Sequence, residues 1–287
     1  MIIRRGYADT PYGQLHYAET GSGPAMLLLH QTPRSYDEFR EVQPLLAGRH
    51  RVIAMDMLGF GLSAVLEKPQ TIEQYAAGAF ALLDALSIDD AVVLGHHTGA
   101  AVALEMAASR PERVGALVLS SPPSAGPEYR SGRVSVDNVE PDANGNHLAE
   151  LWRIRQQYYP AGRPDLLERF IRDALAVDPA EGHRACHRYR MEDRVGLVTA
   201  PVLLIGASAD PFALPNLAVL QKQLTAARSV DSAIIEGGMI PLMEQAPREV
   251  AELVESFLLS LPRSPGSGAR PNSAGPARLT NPRSGPL

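Results

Sequence analysis

A histidine lies at the centre of a short glycine-bounded turn, Gly95-His96-His97-Thr98-Gly99. An apolar stretch, Ala91–Gly95, predicts a strand before the turn, and an Ala-rich stretch, Gly99–Ser109, predicts a helix after it. A tight strand-to-helix turn pushes its central residue, here His97, into a cleft, and the N-terminus of the helix adds free backbone N–H groups and positive potential. An imidazole in such a place is suited to general acid–base chemistry.

Alternating strand and helix patterns surround this turn. The predicted strands are Ile2–Asp9, Gln14–Thr20, Ala25–His30, Arg51–Met55, Ala91–Gly95, Ala116–Ser120, Val202–Gly206 and Ser232–Glu236. The predicted helices are Tyr36–Leu46, a helix capped by Thr71 and Gln74 that ends near Leu86, Gly99–Ser109, Pro215–Ala226 and Pro247–Leu259. This alternation predicts an α/β protein with a mostly parallel sheet and helices on both faces. Ligands of such sheets bind beyond the carboxyl ends of the strands.

Between Pro122 and Val198 the alternation stops and amphipathic helical stretches take over, such as His147–Tyr158 and Asp165–Val177. We therefore expect a helical cap, 122–198, above a core formed by 1–121 and 199–261. The remaining residues, 262–287, contain six Pro, four Gly, four Arg and no acidic residue. That composition predicts a disordered tail, with a functional basic arm as the alternative.

Four motifs in order along residues 1–260 resemble the α/β-hydrolase superfamily, especially its capped branch of haloalkane dehalogenases, epoxide hydrolases and carbon–carbon bond hydrolases. The first, Leu28-Leu29-His30-Gln31-Thr32-Pro33, is similar to the oxyanion loop H-G-x-P, with Gln31 in place of Gly. Asp56-Met57-Leu58-Gly59-Phe60-Gly61-Leu62-Ser63 is similar to D-x-x-G-x-G-x-S. Gly206-Ala207-Ser208-Ala209-Asp210-Pro211 resembles the loop that presents the triad acid. Glu236-Gly237-Gly238-Met239-Ile240-Pro241 resembles the G-H-x-P segment that presents the triad histidine. The resemblance implies the α/β-hydrolase fold and hydrolytic chemistry.

Two departures from the family pattern change the expected mechanism. His97 occupies the nucleophile position, Met239 occupies the position of the triad histidine, and no G-x-S-x-G is present. A serine-type acyl-enzyme needs a hydroxyl nucleophile and an imidazole base, and neither family position supplies one. Because an imidazole reaches farther than a serine hydroxyl, we expect His97 to pair with Asp210 directly or through one water. Such a pair is a general base that activates water or abstracts an acidic proton. His97 as a covalent nucleophile ranks lower, because no second base is visible to release the adduct.

The resemblance also implies substrate-binding groups. We expect the backbone N–H groups of Thr98 and Thr32 to bind an oxyanion, with the side chain of Thr32 or Gln31 as a further donor. Arg34 is interpreted either as a bidentate clamp for a substrate carboxylate or as a solvated surface residue. Met239 is expected to line the pocket.

The same residues also have non-catalytic interpretations. His97 would then fill an inactive pocket, and Asp210 would be a turn or helix-capping residue. His96 is expected to face away from the cleft as a packed ring. A metal site formed by His30, His96 and His97 is disfavoured, because loop and turn would have to bring three rings together without a carboxylate.

Composition and charge disfavour several classes of partner and location. The net charge of −5 and the absence of a dense Lys/Arg stripe disfavour nucleic acid as a partner. With a single cysteine, Cys186, the chain forms no internal disulfide. No secretory signal or membrane-spanning run is visible, so a cytoplasmic location is expected. The sequence thus predicts a cofactor-independent enzyme acting on a small carbonyl-containing molecule, by hydrolysis or by proton abstraction as in lyases, cyclases or cofactor-free oxygenases. The alternative is an inactive hydrolase-fold protein that binds a small molecule. Oligomeric state stays open.

Overall fold

A single eight-stranded sheet organises the chain. The computed structural model describes residues 2–123, 137 and 139–262. The strands are β1 (Arg4–Thr10), β2 (Gly13–Gly21), β3 (Ala25–Leu29), β4 (Arg51–Met55), β5 (Ala91–His96), β6 (Val114–Ser120), β7 (Val202–Ala207) and β8 (Val230–Ile235). Their order across the sheet is β1-β2-β4-β3-β5-β6-β7-β8.

The direction of the strands follows from the length of the connections between them. The short turn at Pro11 and Tyr12 joins β1 and β2 as an antiparallel hairpin, and β2 also pairs antiparallel with β4. All other neighbours, from β4 through β8, pair in parallel, and helices connect most of them. The carboxyl ends of β3, β5, β6 and β7 therefore meet side by side at one edge.

The helices cover both faces of this sheet. Their bounds are α1 (Gln43–Leu46), α2 (Ile72–Ala85), α3 (Thr98–Ser109), α4 (Asn146–Arg155), α5 (Pro164–Ala174), α6 (Pro179–Arg188), α7 (Leu217–Gln223), α8 (Leu242–Gln245) and α9 (Pro247–Ser260). One apolar core lies between the sheet and α2 with α3, and a second lies between the sheet and α1 with α9. The helices α4 and α5 share a third, smaller core, which includes Leu151, Leu166 and Phe170.

The predicted fold class, a mostly parallel sheet with helices on both faces, is confirmed. The predicted capping box is present, because Thr71 accepts from the backbone of Gln74 and the Gln74 side chain binds back. One prediction was wrong: Tyr36–Leu46 is not a continuous helix, but a 3-10 turn, Tyr36–Phe39, followed by the short α1. Pro44 in the first turn of α1 favours a new start there, because proline lacks the N–H that an interior position needs.

The helices α4, α5 and α6 lie between β6 and β7, where the sequence places the cap. Parts of the predicted cap, residues 124–136 and 138, and the predicted tail after Pro262 lie outside the described residues. Within the described part of the chain, no helix has both the length and the apolar character that crossing a bilayer requires.

Candidate active site

The turn after β5 places His97 at the carboxyl edge of the sheet. His97 has a left-handed backbone, with φ 47° and ψ −115°. The flanking glycines are required by close packing: a Cβ on Gly95 would lie 2.1 Å from the carbonyl oxygen of Gly99, and a Cβ on Gly99 would lie 1.9 Å from that of Leu29. The chain can thus reverse from strand to helix within one residue, and His97 is held at the apex.

The structure brings His97 and Asp210 together. His97 Nε2 lies 2.9 Å from Asp210 Oδ2, and the side chain of Asp210 is 0% exposed while that of His97 is 17% exposed. The ring N–H does not point along this line, so neither atom has an aligned hydrogen-bond partner. Asp210 Oδ1 accepts the backbone N–H groups of Phe212 and Ala213. The carboxylate is therefore fixed by its own turn, with Oδ2 facing Nε2 of His97.

The electrostatics of Asp210 favour the ionised form. Burial alone would raise the pKa of this carboxyl, but the adjacent His97 ring and the N–H of Phe212 outweigh burial and lower its pKa to about 2. At neutral pH the carboxylate is charged. It therefore attracts a proton onto the facing Nε2 of His97, which leaves the lone pair of the neutral ring on Nδ1.

His96, the neighbour of His97 in the turn, faces away and is fully buried. Its Nε2 lies 2.9 Å from the carbonyl oxygen of Ile240, and its Nδ1 lies 3.0 Å from Ser120 Oγ. Burial, together with the neighbouring His97 ring, lowers the pKa of His96 to about 3. The ring is therefore neutral, with its proton on Nε2, and it links the end of β5 to the loop after β8.

The loop after β3, which the sequence predicts to bind an oxyanion, contains a hydroxyl without a hydrogen-bond partner and a side-chain amide that is already hydrogen-bonded. The Thr32 side chain is buried, and its Oγ1 has no hydrogen-bond partner. Gln31 was expected to donate to a substrate, but its backbone N–H and its Nε2 both donate to the buried carboxylate of Glu38, at 2.8 Å and 2.6 Å. The Gln31 side chain therefore anchors the loop instead of facing a substrate. The N–H of Thr98 begins α3, where no intrahelical acceptor exists.

Arg34 is neither a solvated surface residue nor a free clamp, and both interpretations were wrong. Its side chain is 0% exposed; Nη1 and Nη2 bind the carboxylate of Glu244, and Nε donates to Asp173 of α5. For Glu244, burial outweighs the attraction of Arg34 and raises the pKa of the carboxyl to about 8. For Arg34, burial lowers the pKa, but the charges of Glu244 and Asp173 outweigh burial and raise it. Because both carboxylate oxygens of Glu244 accept from the guanidinium, the geometry favours the charged pair. Arg34 thus joins the loop after β3 to both α5 and α8.

Met239 lies in the loop after β8, which is hydrogen-bonded to the sequence neighbours of Asp210 and His97. The preceding Gly238 carbonyl accepts the N–H of Ala209, next to Asp210, and the following Ile240 binds His96. Met239 itself is partly buried, and its N–H donates to Gln245. A thioether there neither accepts nor relays a proton between the acid and the turn.

The helix α6 covers the site from above. Cys186 of this helix is buried, and burial raises the pKa of its thiol to about 11 although the Thr98 side chain lowers it. A Cβ on Gly182 would lie 2.3 Å from Thr32 Oγ1, 2.6 Å from Thr32 Cβ and 3.1 Å from the ring of Phe60. Glycine at 182 therefore permits the helix to rest directly on the oxyanion loop.

We expect Gly182→Ala to destabilise the protein by about 1–3 kcal/mol, because the added methyl forces α6 away from Thr32. The midpoint of urea denaturation measures this. Gly162→Ala is the matched control, since a Cβ there meets nothing within 4 Å. If Gly182→Ala is as stable as the control, the close contact between α6 and Thr32 is wrong.

Several residues that complete the site carry no sequence signal that distinguishes them from surface charges. Glu38, Asp173 and Glu244 belong to no recognisable motif, and their partners are distant in sequence except for Gln31. Among the described residues, no group of three or more His, Cys, Asp or Glu side chains is arranged to hold a metal ion.

Sequence comparisons show which known proteins this chain is similar to. The model of the α/β hydrolase fold family matches residues 24–190. Mouse bifunctional epoxide hydrolase 2 is 37% identical over 133 residues, which are 44% of this chain and 24% of that protein. A 2-hydroxy-6-oxononadienedioate/2-hydroxy-6-oxononatrienedioate hydrolase from Dechloromonas aromatica is 29% identical over 238 residues, 73% of this chain and 78% of that protein. The chain thus spans about a quarter of the length of the mouse relative.

Solved structures give the same fold. A hydrolase from Pseudomonas aeruginosa PA01 superposes with a TM-score of 0.74 at 20% identity, covering 89% of this chain and 98% of that one. The enol-lactonase from Burkholderia xenovorans LB400 superposes with a TM-score of 0.73 at 21% identity, covering 88% and 100%. At such identities the similarity concerns the fold alone.

Proposed function

We propose, from the premise that this chain belongs to the α/β hydrolase fold family, that it is an enzyme acting on a small carbonyl compound through a His97–Asp210 pair instead of a Ser-His-Asp triad. The observation that carries the proposal is the 2.9 Å contact between His97 Nε2 and the buried carboxylate of Asp210. The family position opposite this pair holds Met239, which has no proton to exchange.

The chemistry follows from the orientation of the ring. With Nε2 facing Asp210, Nδ1 is the basic nitrogen of His97 and accepts a proton from a water molecule. The water oxygen forms a bond to the substrate carbonyl carbon, and the carbonyl oxygen becomes an oxyanion that the N–H groups of Thr32 and Thr98 bind. When the bond to the leaving group breaks, Nδ1–H returns the proton to it. Throughout, Asp210 stabilises the positive charge on the ring.

The same pair suits a second reaction within this proposal. If the substrate carries an acidic C–H beside its carbonyl, Nδ1 removes that proton and the oxyanion site binds the resulting enolate. No covalent intermediate forms in either case. A fold best known for hydrolysis would thus also accommodate lyase or cyclase chemistry.

We expect purified protein to turn over at least one member of a panel of esters, lactones, epoxides and enolisable ketones without labelling by a fluorophosphonate probe. The panel follows the relatives named as epoxide and carbon–carbon bond hydrolases. A serine hydrolase treated in parallel shows that the probe is active. Stoichiometric labelling would mean a serine nucleophile, and absence of turnover across the panel would favour a binding protein without catalysis.

A further inference from the structure

Ser121, the residue directly after β6, combines three unusual features. Its side chain is fully buried, and its hydroxyl has no hydrogen-bond partner. Its backbone is left-handed, with φ 45°, a conformation that side chains with a Cβ rarely adopt. It also precedes Pro122, and a residue before proline is normally extended.

The position of Ser121 in the sheet places it beside the proposed catalytic pair. His96 and Ser120 are paired in register, and the N–H of His97 donates to the carbonyl of Ser120. On the other side, the N–H of Ser121 donates to Ile205 of β7, the strand that leads to Asp210. Ser121 therefore lies at the strand end between those that carry His97 and Asp210.

Four adjacent strands share the same feature at this edge. Each of β3, β5, β6 and β7 is followed by a residue with a buried polar atom that lacks an aligned hydrogen bond. These atoms are Thr32 Oγ1, His97 Nε2, Ser121 Oγ and Asp210 Oδ2. Two of these atoms, His97 Nε2 and Asp210 Oδ2, face each other at 2.9 Å, whereas the hydroxyls of Thr32 and Ser121 have no partner. Buried hydroxyls without partners are rare in folded proteins, and two of them beside a histidine–carboxylate pair are typical of a site that binds a polar ligand.

A matched residue shows that the left-handed backbone alone does not explain Ser121. Among the described non-glycine residues, positive φ occurs at Ser87, His97 and Ser121. Ser87 is exposed and follows α2, where a left-handed residue ends a helix in the ordinary way. Ser121 ends a buried strand, as His97 does, and strained residues of that kind concentrate at functional sites.

We propose that Ser121 is a further substrate-contacting residue, whose hydroxyl hydrogen-bonds an oxygen of the substrate beside His97. This inference rests on the proposed function of the His97–Asp210 pair. With Ser121, the polar groups that face the substrate would extend along the sheet edge from Thr32 after β3, through His97 after β5, to the end of β6 next to Asp210. The preferred substrates therefore carry a second oxygen near the reacting carbonyl, as in lactones, esters and hydroxyketones.

Ser121→Ala tests the proposal through two readouts with opposite signs. Removing an unpartnered hydroxyl is expected to raise the melting temperature by about 2 °C, while loss of the substrate contact lowers kcat/KM for the turned-over substrate by about tenfold. A structural role predicts instead that stability and activity fall together. Ser87→Ala is the control and should change neither.

The outcomes separate this inference from its premise. If the parent protein turns over a substrate and Ser121→Ala keeps the parental kcat/KM, the Ser121 contact is wrong and the catalytic pair stands. The contact is likewise refuted if Ser121→Ala loses stability and activity in parallel. If the parent turns over no member of the ester, lactone, epoxide and ketone panel, the proposed function fails and the Ser121 contact fails with it.

Discussion

Replacing His97 with alanine is expected to lower kcat by about 10²–10⁴-fold, the range that a well-placed general base contributes. Asp210→Asn keeps the shape of the partner but removes its charge, so the ring loses the group that orients it and stabilises its protonated form. We expect a loss of similar size from Asp210→Asn. Steady-state kinetics on the substrate found in the panel measure both effects.

A second histidine–carboxylate pair provides the control for these variants. His50 Nδ1 lies 3.4 Å from Glu255 Oε1, far in sequence from the turn after β5. His50→Ala and Glu255→Gln remove a ring and a charge of the same kinds, and should leave kcat within a factor of two of the parent. If His97→Ala or Asp210→Asn behaves like these controls, the proposed base is wrong.

The sequence predicted the local parts of the site better than its long-range contacts. The turn with His97 was predictable because glycine spacing, an apolar strand and an Ala-rich helix are all local signals. Its pairing with Asp210 was predicted from the reach of an imidazole and from the order of the family motifs. In the structure the two residues lie 2.9 Å apart. Their catalytic role stays a prediction.

The buried charges were beyond sequence reasoning for a physical reason. Arg34 contacts Glu244, 210 positions away, and Asp173, 139 positions away. Nothing in the neighbourhood of an arginine indicates whether a distant carboxylate will compensate for its burial. The place of Gln31 in the oxyanion-like motif predicts a donor for a substrate, whereas in the structure its Nε2 already donates to Glu38 in the 3-10 turn Tyr36–Phe39.

Restoring the family arrangement should restore serine chemistry. We expect the double variant His97→Ser, Met239→His to be labelled by a fluorophosphonate, whereas the parent and both single variants stay unlabelled. The apex of the turn would then present a hydroxyl, and an imidazole at 239 would stand between it and Asp210. The retained N–H groups of Thr32 and Thr98 would bind the phosphonyl oxygen, in the role proposed for them with a substrate oxyanion.

The surroundings of Met239 support this expectation. Its loop is bonded to the segment of Asp210 through Ala209 and Gly238, at 2.8 Å, and to the turn through His96 and Ile240, at 2.9 Å. Loss of the His97 ring vacates the space next to Asp210 Oδ2 that the new imidazole needs.

Labelling rates, measured by intact-protein mass spectrometry, give the result. The triple variant that adds Asp210→Asn should be labelled about 10⁴-fold more slowly than the double variant, because the carboxylate fixes the tautomer of the ring. Circular dichroism on all variants verifies that they fold alike. Two outcomes contradict the proposal: a folded double variant that is not labelled, or a His97→Ser single variant that is labelled as fast as the double variant. In either case the imidazole at 97 does not replace the family histidine at 239, and the base in this site differs from the one proposed.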